Sequence, residues 1–225
     1  MYLKMENDRP HITSRLRNHI LSIPKEALAA SGIVINGRRI KSLVFTTDIA
    51  IIRNCDADAV LAVYPFTPQQ SISEAMLRHS SLPVFCGVGG GTTQGMRTTM
   101  LAWDAEAQGA MAVVVNAPMS NEDIRHIAGA IDIPIVVTVL NEHTDIASRL
   151  EAGATILNVS AAERTPDVIR AIRKQFPQIP IIGTGGPTGE SIRKTVEAGA
   201  NAISYTPPST KTLFSTLMDD YRTRD

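Results

Sequence analysis

Residues 179–210 read IPIIGTGGPTGESIRKTVEAGANAISYTPPST, and the order of features in this stretch decides the fold. A short apolar run follows Pro180 and gives way to Gly183-Thr184-Gly185-Gly186. Thr188 then stands where a helix needs a side-chain oxygen for its unpaired first-turn amides, with Glu190 and Ser191 close behind. The helical stretch 189–198 ends at Ala198-Gly199-Ala200, where glycine supplies the left-handed residue that closes a helix. A second apolar run, 202–206, leads into Thr206-Pro207-Pro208-Ser209-Thr210. Strand, capped helix and strand in this order make a unit with parallel strands, since parallel neighbours need a long crossover.

Toward the N-terminus the unit recurs. Apolar runs fall at 42–48 (SLVFTTD), 59–66 (AVLAVYPF), 82–87 (LPVFCG), 111–117 (MAVVVNA), 133–141 (IPIVVTVLN) and 155–160 (TILNVS). With 179–185 and 202–206 they number eight. They are rich in Val and Ile and apolar throughout, as parallel strands buried on both faces are. The helix-closing glycine returns at Gln108-Gly109-Ala110 and Ala152-Gly153-Ala154, and the strand-opening proline at Leu82-Pro83 and Ile133-Pro134. Ser120 is placed to cap 121–131, and Thr165-Pro166-Asp167 opens 168–176. Eight such units predict an α/β fold, an eight-stranded parallel (β/α)8 TIM barrel over 41–225; an open doubly wound sheet is the competing arrangement. The first crossover, 49–58, has room for a helix of two or three turns. Residues 1–40 precede the barrel, and 11–30 reads as one or two helices broken near Pro24. This N-terminal helical extension is expected to cover the bottom of the barrel, with a homo-oligomer contact as the alternative.

Bulk properties bound the function. The 225 residues are close to the least that such a barrel needs, and 44% hydrophobic residues support a large core. Lys+Arg and Asp+Glu are both 22, so the chain has no electrostatic footprint for nucleic acid or an anionic membrane. No apolar run reaches the length of a membrane span, and the polar N-terminus lacks the apolar region of a signal peptide. Cys55 and Cys86 fit neither a metal spacing nor a CxxC, so the expectation is a cytoplasmic protein with two reduced thiols.

Barrels of this kind place ligands at the C-terminal ends of their strands. Those ends carry Thr46-Thr47-Asp48, Tyr64-Pro65-Phe66, the glycine run 87–91, Asn116, Asn141-Glu142-His143, Asn158 with Ser160, Gly185-Gly186, and Ser204-Tyr205-Thr206. Side chains alternate along a strand, so Asp48 shares a face with Thr46, Glu142 with Thr138, and Asn158 with Ser160. Inward polar groups are explained either by a ligand pocket at the mouth or by a hydrogen-bonded polar plug. The glycine run 87–91 reads equally as a ligand-wrapping loop, a lid hinge or a plain flexible loop.

Over roughly the last third, the chain resembles the phosphate-binding (β/α)8 barrels: the ribulose-phosphate-binding group of sugar-phosphate epimerases, tryptophan-pathway enzymes and keto-acid phosphate aldolases. The resemblance implies phosphate contacts at Gly185, Gly186, Ser209 and Thr210, in the loops after strands 7 and 8. Pro207-Pro208 departs from the group's glycine–small pair. Proline donates no N–H, so part of the cradle is missing or moved to 209–211, where Lys211 could supply charge. Thr184-Gly185-Gly186 also looks like the corresponding strand of 2-keto-3-deoxy-6-phosphogluconate aldolase. The Schiff-base lysine of that family falls on Asn158 here, and an amide forms no imine.

Other chemistries lack agents. Of the five histidines only His143 lies near the mouth, so neither a metal nor another cofactor is expected. No nucleophile elbow appears, and Cys86 reads as a core thiol. Carboxylate acid–base work remains. Asp48 and Glu142 stand on strands 1 and 5 and would face each other as general base and acid, with Asn116 and Asn158 orienting a carbonyl or stabilising an enolate. Asp48 reads equally as a helix N-cap and Glu142 as a first-turn acid. The expected function is binding of a small phosphorylated metabolite, with lyase or isomerase chemistry; the alternative is a non-catalytic barrel that senses such a ligand.

Overall fold

The computed structural model describes residues 2–6, 9–13 and 21–223. Eight parallel strands close into a barrel in sequence order, β1 (Ser42–Phe45), β2 (Ala59–Ala62), β3 (Val84–Gly89), β4 (Ala112–Val115), β5 (Ile135–Val139), β6 (Ile156–Val159), β7 (Ile181–Thr184) and β8 (Ala202–Tyr205). Closure is made by β8 on β1, with Ile203 opposite Ser42 and Tyr205 opposite Val44. The competing open sheet is thereby excluded.

Alternation along the strands builds two cores. Val44, Val60, Val113, Val137, Leu157, Ile181 and Ile203 face outward beneath the helices. Leu43, Leu61, Phe85, Val114, Val136, Ile156 and Ile182 fill the interior, with Ala59, Ala112 and Ala202 as the small partners that let the large side chains interdigitate. Burial on both faces is why these strands read as unbroken apolar runs.

The outer ring comprises α1 (Ile49–Arg53), α2 (Gln70–His79), α3 (Met96–Ala107), α4 (Asn121–Ala128), α5 (Ile146–Glu151), α6 (Thr165–Gln175), α7 (Gly189–Glu197) and α8 (Thr210–Arg222). Ser120 caps α4 as expected, its Oγ accepting from Asp123 N at 3.0 Å. Thr188 and Ser191 form a reciprocal capping box at α7. The helix α1 has five residues and is shorter than the expected two or three turns, because Cys55–Asp58 is used to return the chain to the barrel floor. No helix among the described residues is long and apolar enough to cross a membrane.

The N-terminal segment differs from expectation. Residues 11–30 were expected to be helical, but Arg9–Thr13 is a strand paired antiparallel with Tyr2–Glu6, and Lys25–Ala29 is a short 3-10 helix. The rest of that expectation, 14–20, lies outside the described residues. The barrel's bottom is closed by a hairpin, Ile33–Ile35 with Arg38–Ile40. Ile33, Ile35 and Ile40 join the interior cluster, so one face of the hairpin plugs the cylinder. Its two-residue turn has positive φ at both Asn36 (49°) and Gly37 (78°), the conformation that an Asn-Gly pair adopts in tight hairpins. A Cβ added at Gly37 meets nothing within 4 Å. Gly37→Ala should therefore cost only the left-handed backbone term, about 1 kcal/mol, measured by denaturant unfolding.

Candidate functional site at the barrel mouth

With the bottom plugged, the open end is the C-terminal one. Residues two beyond the interior layer face it: Thr138 follows Val136, Asn158 follows Ile156, Thr184 follows Ile182 and Ser204 follows Ala202. These make a polar floor beneath the β5–β8 side. Asn158 is 8% exposed. Its Nδ2 donates to Thr138 Oγ1 at a long 3.4 Å, and its Oδ1 is buried with no partner. An orphaned buried acceptor costs about 1–3 kcal/mol, and at the mouth this oxygen is placed to accept from a water or a ligand.

Asp48 caps α1. Its Oδ1 accepts from Ala50 N at 2.8 Å and Ile51 N at 3.3 Å, while its own amide donates to Thr46 Oγ1 at 3.1 Å. Its Oδ2 accepts from the Thr210 hydroxyl at the start of α8. The Thr210 bond, together with the α1 amides, holds the carboxyl below the usual aspartate range against the opposing effect of burial. A depressed folded pKa adds stability that is full above the ordinary value near 3.8 and is lost as pH falls through the lowered one. Asp48→Asn should therefore flatten the acid limb of a stability–pH profile; an unchanged limb would show that the carboxyl is not held below its ordinary range.

Glu142 lies exposed on the rim and pairs with Arg164, with His143 Nε2 at 3.9 Å. Its own backbone amide, then Arg164, hold its carboxyl below the usual range. The expected division of labour needed one carboxyl raised and one lowered. Both are lowered, so neither is poised as a protonated acid at neutral pH. Cys86 faces outward from the barrel wall, and burial, with Asp104 nearby, pushes its thiol up to about 12. Among the described residues, no group of three or more His, Cys, Asp or Glu side chains is placed to hold a metal ion.

The implied phosphate contacts are partly committed elsewhere. Gly185 N donates to Ser204 O at 3.0 Å, extending the β7–β8 ladder, so that amide is taken. Gly186 N carries no such bond. Ser209 Oγ accepts from Thr212 N as the α8 cap, and the Thr210 hydroxyl is bound to Asp48. What α8 offers an anion is the backbone amides of Thr210 and Lys211 in its first turn. Gly185 and Gly186 line an open cleft of about 960 Å3 with Ala162, Pro166 and Thr188; Ser209 and Thr210 are not part of its wall. Lys194 also lines it, but pairs with Glu190 at 2.7 Å.

Across the mouth lies a second cleft, which brings together the glycine run and Asn116 of the sequence analysis with Phe66, to which that analysis gave no role. Val63, Tyr64, Phe66, Gly87, Gly89, Gly91 and Asn116 line a small cleft, open to solvent. Phe66 is 75% exposed. The glycine run is ordered by Gly90 N to Thr93 O and Asn116 N to Gly89 O, both 2.9 Å, which speaks against a plain flexible loop. The signal was an aromatic between two prolines at a strand end, Pro65-Phe66-Thr67-Pro68.

No family model matches the chain. Among curated proteins it is similar to thiamine-phosphate synthase of Geobacillus thermodenitrificans (strain NG80-2), 28% identical over 101 residues, covering 40% of this chain and 46% of the relative. The same enzyme of Geobacillus kaustophilus (strain HTA426) is 28% identical over 124 residues, 48% of this chain and 56% of the relative. The chain thus spans about half the length of the curated relatives it matches. Among solved structures, phosphonopyruvate hydrolase in complex with oxalate and Mg++ superposes with a TM-score of 0.61 at 14% identity, covering 89% of this chain and 87% of that one. Phosphoenolpyruvate phosphomutase from Streptomyces platensis subsp. rosaceus gives 0.61 at 13%, over 81% and 80%. A 2,3-dimethylmalate lyase gives 0.59 at 11%, over 89% and 85%. At these identities the likeness is one of fold, the barrel that this chain shares with them.

Proposed function

We propose that the barrel mouth binds a small phosphorylated metabolite and acts on it as a lyase or isomerase, by proton transfer at carbon. The observation that carries the reading is Asn158, a buried amide at the mouth whose carbonyl oxygen lacks a donor. The phosphoryl group would rest on the unpaired amides of Gly186, Thr210 and Lys211, beside Gly185 and Ser209. Support comes from the names of the similar proteins, which include a thiamine-phosphate synthase, a phosphonopyruvate hydrolase and a phosphoenolpyruvate phosphomutase. A formal net charge of +0 supports a small ligand over a polyanion, and two free thiols support a cytoplasmic setting.

In this reading Asp48 and Glu142 are proton acceptors, since both are held ionised. A carboxylate that takes a proton from carbon becomes the acid that returns it, so one-base isomerisation needs no second acid. Asn158 and Asn116 orient the substrate carbonyl. The second reading, a non-catalytic sensor, is favoured by the floor itself, where Thr138, Asn158, Thr184 and Ser204 carry no ionisable side chain.

A thermal-shift screen of phosphorylated metabolites tests the reading, because a ligand at 100-fold its Kd adds about 2.7 kcal/mol. No shift with any phosphorylated compound at millimolar concentration would overturn it. Asp48→Asn then separates the two versions. Loss of turnover with binding kept supports the enzyme; unchanged signalling or binding with no turnover in the parent supports the sensor. Removing the carboxylate beside the α8 amides should also tighten phosphate binding roughly fivefold to tenfold at low salt.

A further inference from the structure

We infer that the outer face of α3 is the contact of a symmetric homodimer, in which two copies of the helix pack antiparallel about a two-fold axis between Met100 and Trp103. The inference is independent of what the mouth binds. Along α3, Thr98, Ala102 and Ala105 are buried against the barrel. On the opposite face Met96, Met100 and Trp103 are 73%, 63% and 61% exposed, and Ala107 is exposed beyond them. Their spacing of i, i+4, i+7 and i+11 makes one straight row. Other helices of the ring meet solvent with ion pairs: Glu74–Arg78 on α2, Asp167–Arg170 on α6, and Glu190–Lys194 with Arg193–Glu197 on α7. On α3 the solvent face is apolar instead, and Met and Trp are the side chains that interface centres favour.

A second copy fits this face because the row is complementary to its own reverse. An axis midway between Met100 and Trp103 sets Met100 against the partner's Trp103 and Met96 against the partner's Ala107, large side chains over small or flat ones. Arg97 and Asp104 each follow a member of the row by one residue, so both flank it on the same side. They lie about 10 Å apart along the axis, too far to pair within one helix. Arg97 has no ion-pair partner among the described residues, and Asp104 takes Gln108 Nε2 on Oδ2 at 2.6 Å, which leaves Oδ1. The same two-fold axis brings Arg97 beside the partner's Asp104, twice per dimer. At about 200 Å2 for each large side chain, the exposed parts of Met96, Met100 and Trp103 amount to roughly 400 Å2, about half of the ~800 Å2 that each partner of a stable dimer buries. The flanks of the row and the neighbouring α2 and α4 would supply the remainder. Because α3 starts at the mouth, after β3, antiparallel pairing turns the two mouths in opposite directions and leaves both open.

The test is sedimentation equilibrium of the full chain over a concentration series, read beside tryptophan emission. Trp103 is the single tryptophan of the sequence, so its emission reports on this face alone. A monomer–dimer equilibrium with a Kd in the micromolar range or below is expected, with emission shifting to the blue as dimer forms. Met100→Lys, at an exposed position that leaves the core untouched, should raise the Kd at least 100-fold and hold the emission at its monomer value. Arg97→Asp and Asp104→Arg should each weaken the dimer roughly tenfold, and the two together should restore it, since only antiparallel pairing puts the exchanged charges side by side again. A monomer at every concentration would overturn the proposal. So would a dimer that survives Met100→Lys with Trp103 emission unchanged, which would place the association on another face. A double reversal no better than the single ones would overturn the antiparallel register and the two-fold contact built on it.

Discussion

Gly90→Ala should lower the unfolding free energy by about 3–4 kcal/mol. Gly90 has φ +106°, and a Cβ built on it lies 2.5 Å from Asn116 N, 2.7 Å from Asn116 O and 2.9 Å from Asn116 Cα. All three are backbone atoms, so no rotamer change relieves the overlap. Asn116 cannot retreat cheaply, because its N–H is bonded to Gly89 O at 2.9 Å and its carbonyl accepts from Met119 N at 3.1 Å. Gly90 is tied in turn through its own N–H to Thr93 O. Gly37→Ala is the matched control, with a similar positive φ and open space around the new methyl. The difference between the two, about 2–3 kcal/mol, isolates the steric term from the backbone term. For a chain of this size the thermal midpoint should fall by roughly 10 °C in Gly90→Ala. A loss no larger than that of Gly37→Ala would mean that the β3 loop does not press on Asn116.

The barrel was legible because a strand buried on both faces has one sequence signature, an unbroken Val/Ile run, and eight such runs leave few topologies. The plug was not read, although 33–40 carries the hairpin signal in plain form: Ile33, Ile35 and Ile40 alternate around Asn36-Gly37. Treating 1–40 as one helical unit hid a period-2 pattern of only eight residues. At the site, Asp48 reads both as cap and as catalyst; its hydrogen bonds to Ala50 N and Ile51 N show the cap, and its proton-accepting role is the proposal made above. Its bond to Thr210, 162 residues away, exists only because closure sets β8 beside β1, and no local pattern encodes that. The inward direction of Asn158 followed from alternation with Ser160. Its missing partner did not, since that depends on what β5 and β7 place opposite it, Thr138 and Ile182.

That missing partner makes the second large effect one of opposite signs in two measurements. Asn158→Leu is expected to leave stability unchanged or raise it by about 1 kcal/mol, and to weaken ligand binding on the order of 100-fold. The stability sign follows from what is exchanged. The amide gives up one 3.4 Å bond to Thr138, near the outer limit of a hydrogen bond, and the buried Oδ1 had nothing to lose. Leucine matches asparagine in shape and removes the desolvated oxygen, while Thr138, 9% exposed, keeps partial access to water. The binding sign follows from the same oxygen. A ligand donor that meets Oδ1 in the parent meets a methyl in the variant and is buried unpaired, which costs about 1–3 kcal/mol in addition to the lost bond. A site that holds an unmet acceptor until a ligand arrives gives up stability for recognition, so removing the acceptor should return the one and abolish the other. If Asn158→Leu instead unfolds the barrel by 2 kcal/mol or more, the amide is part of the core's hydrogen bonding, and the ligand must be sought elsewhere on the mouth.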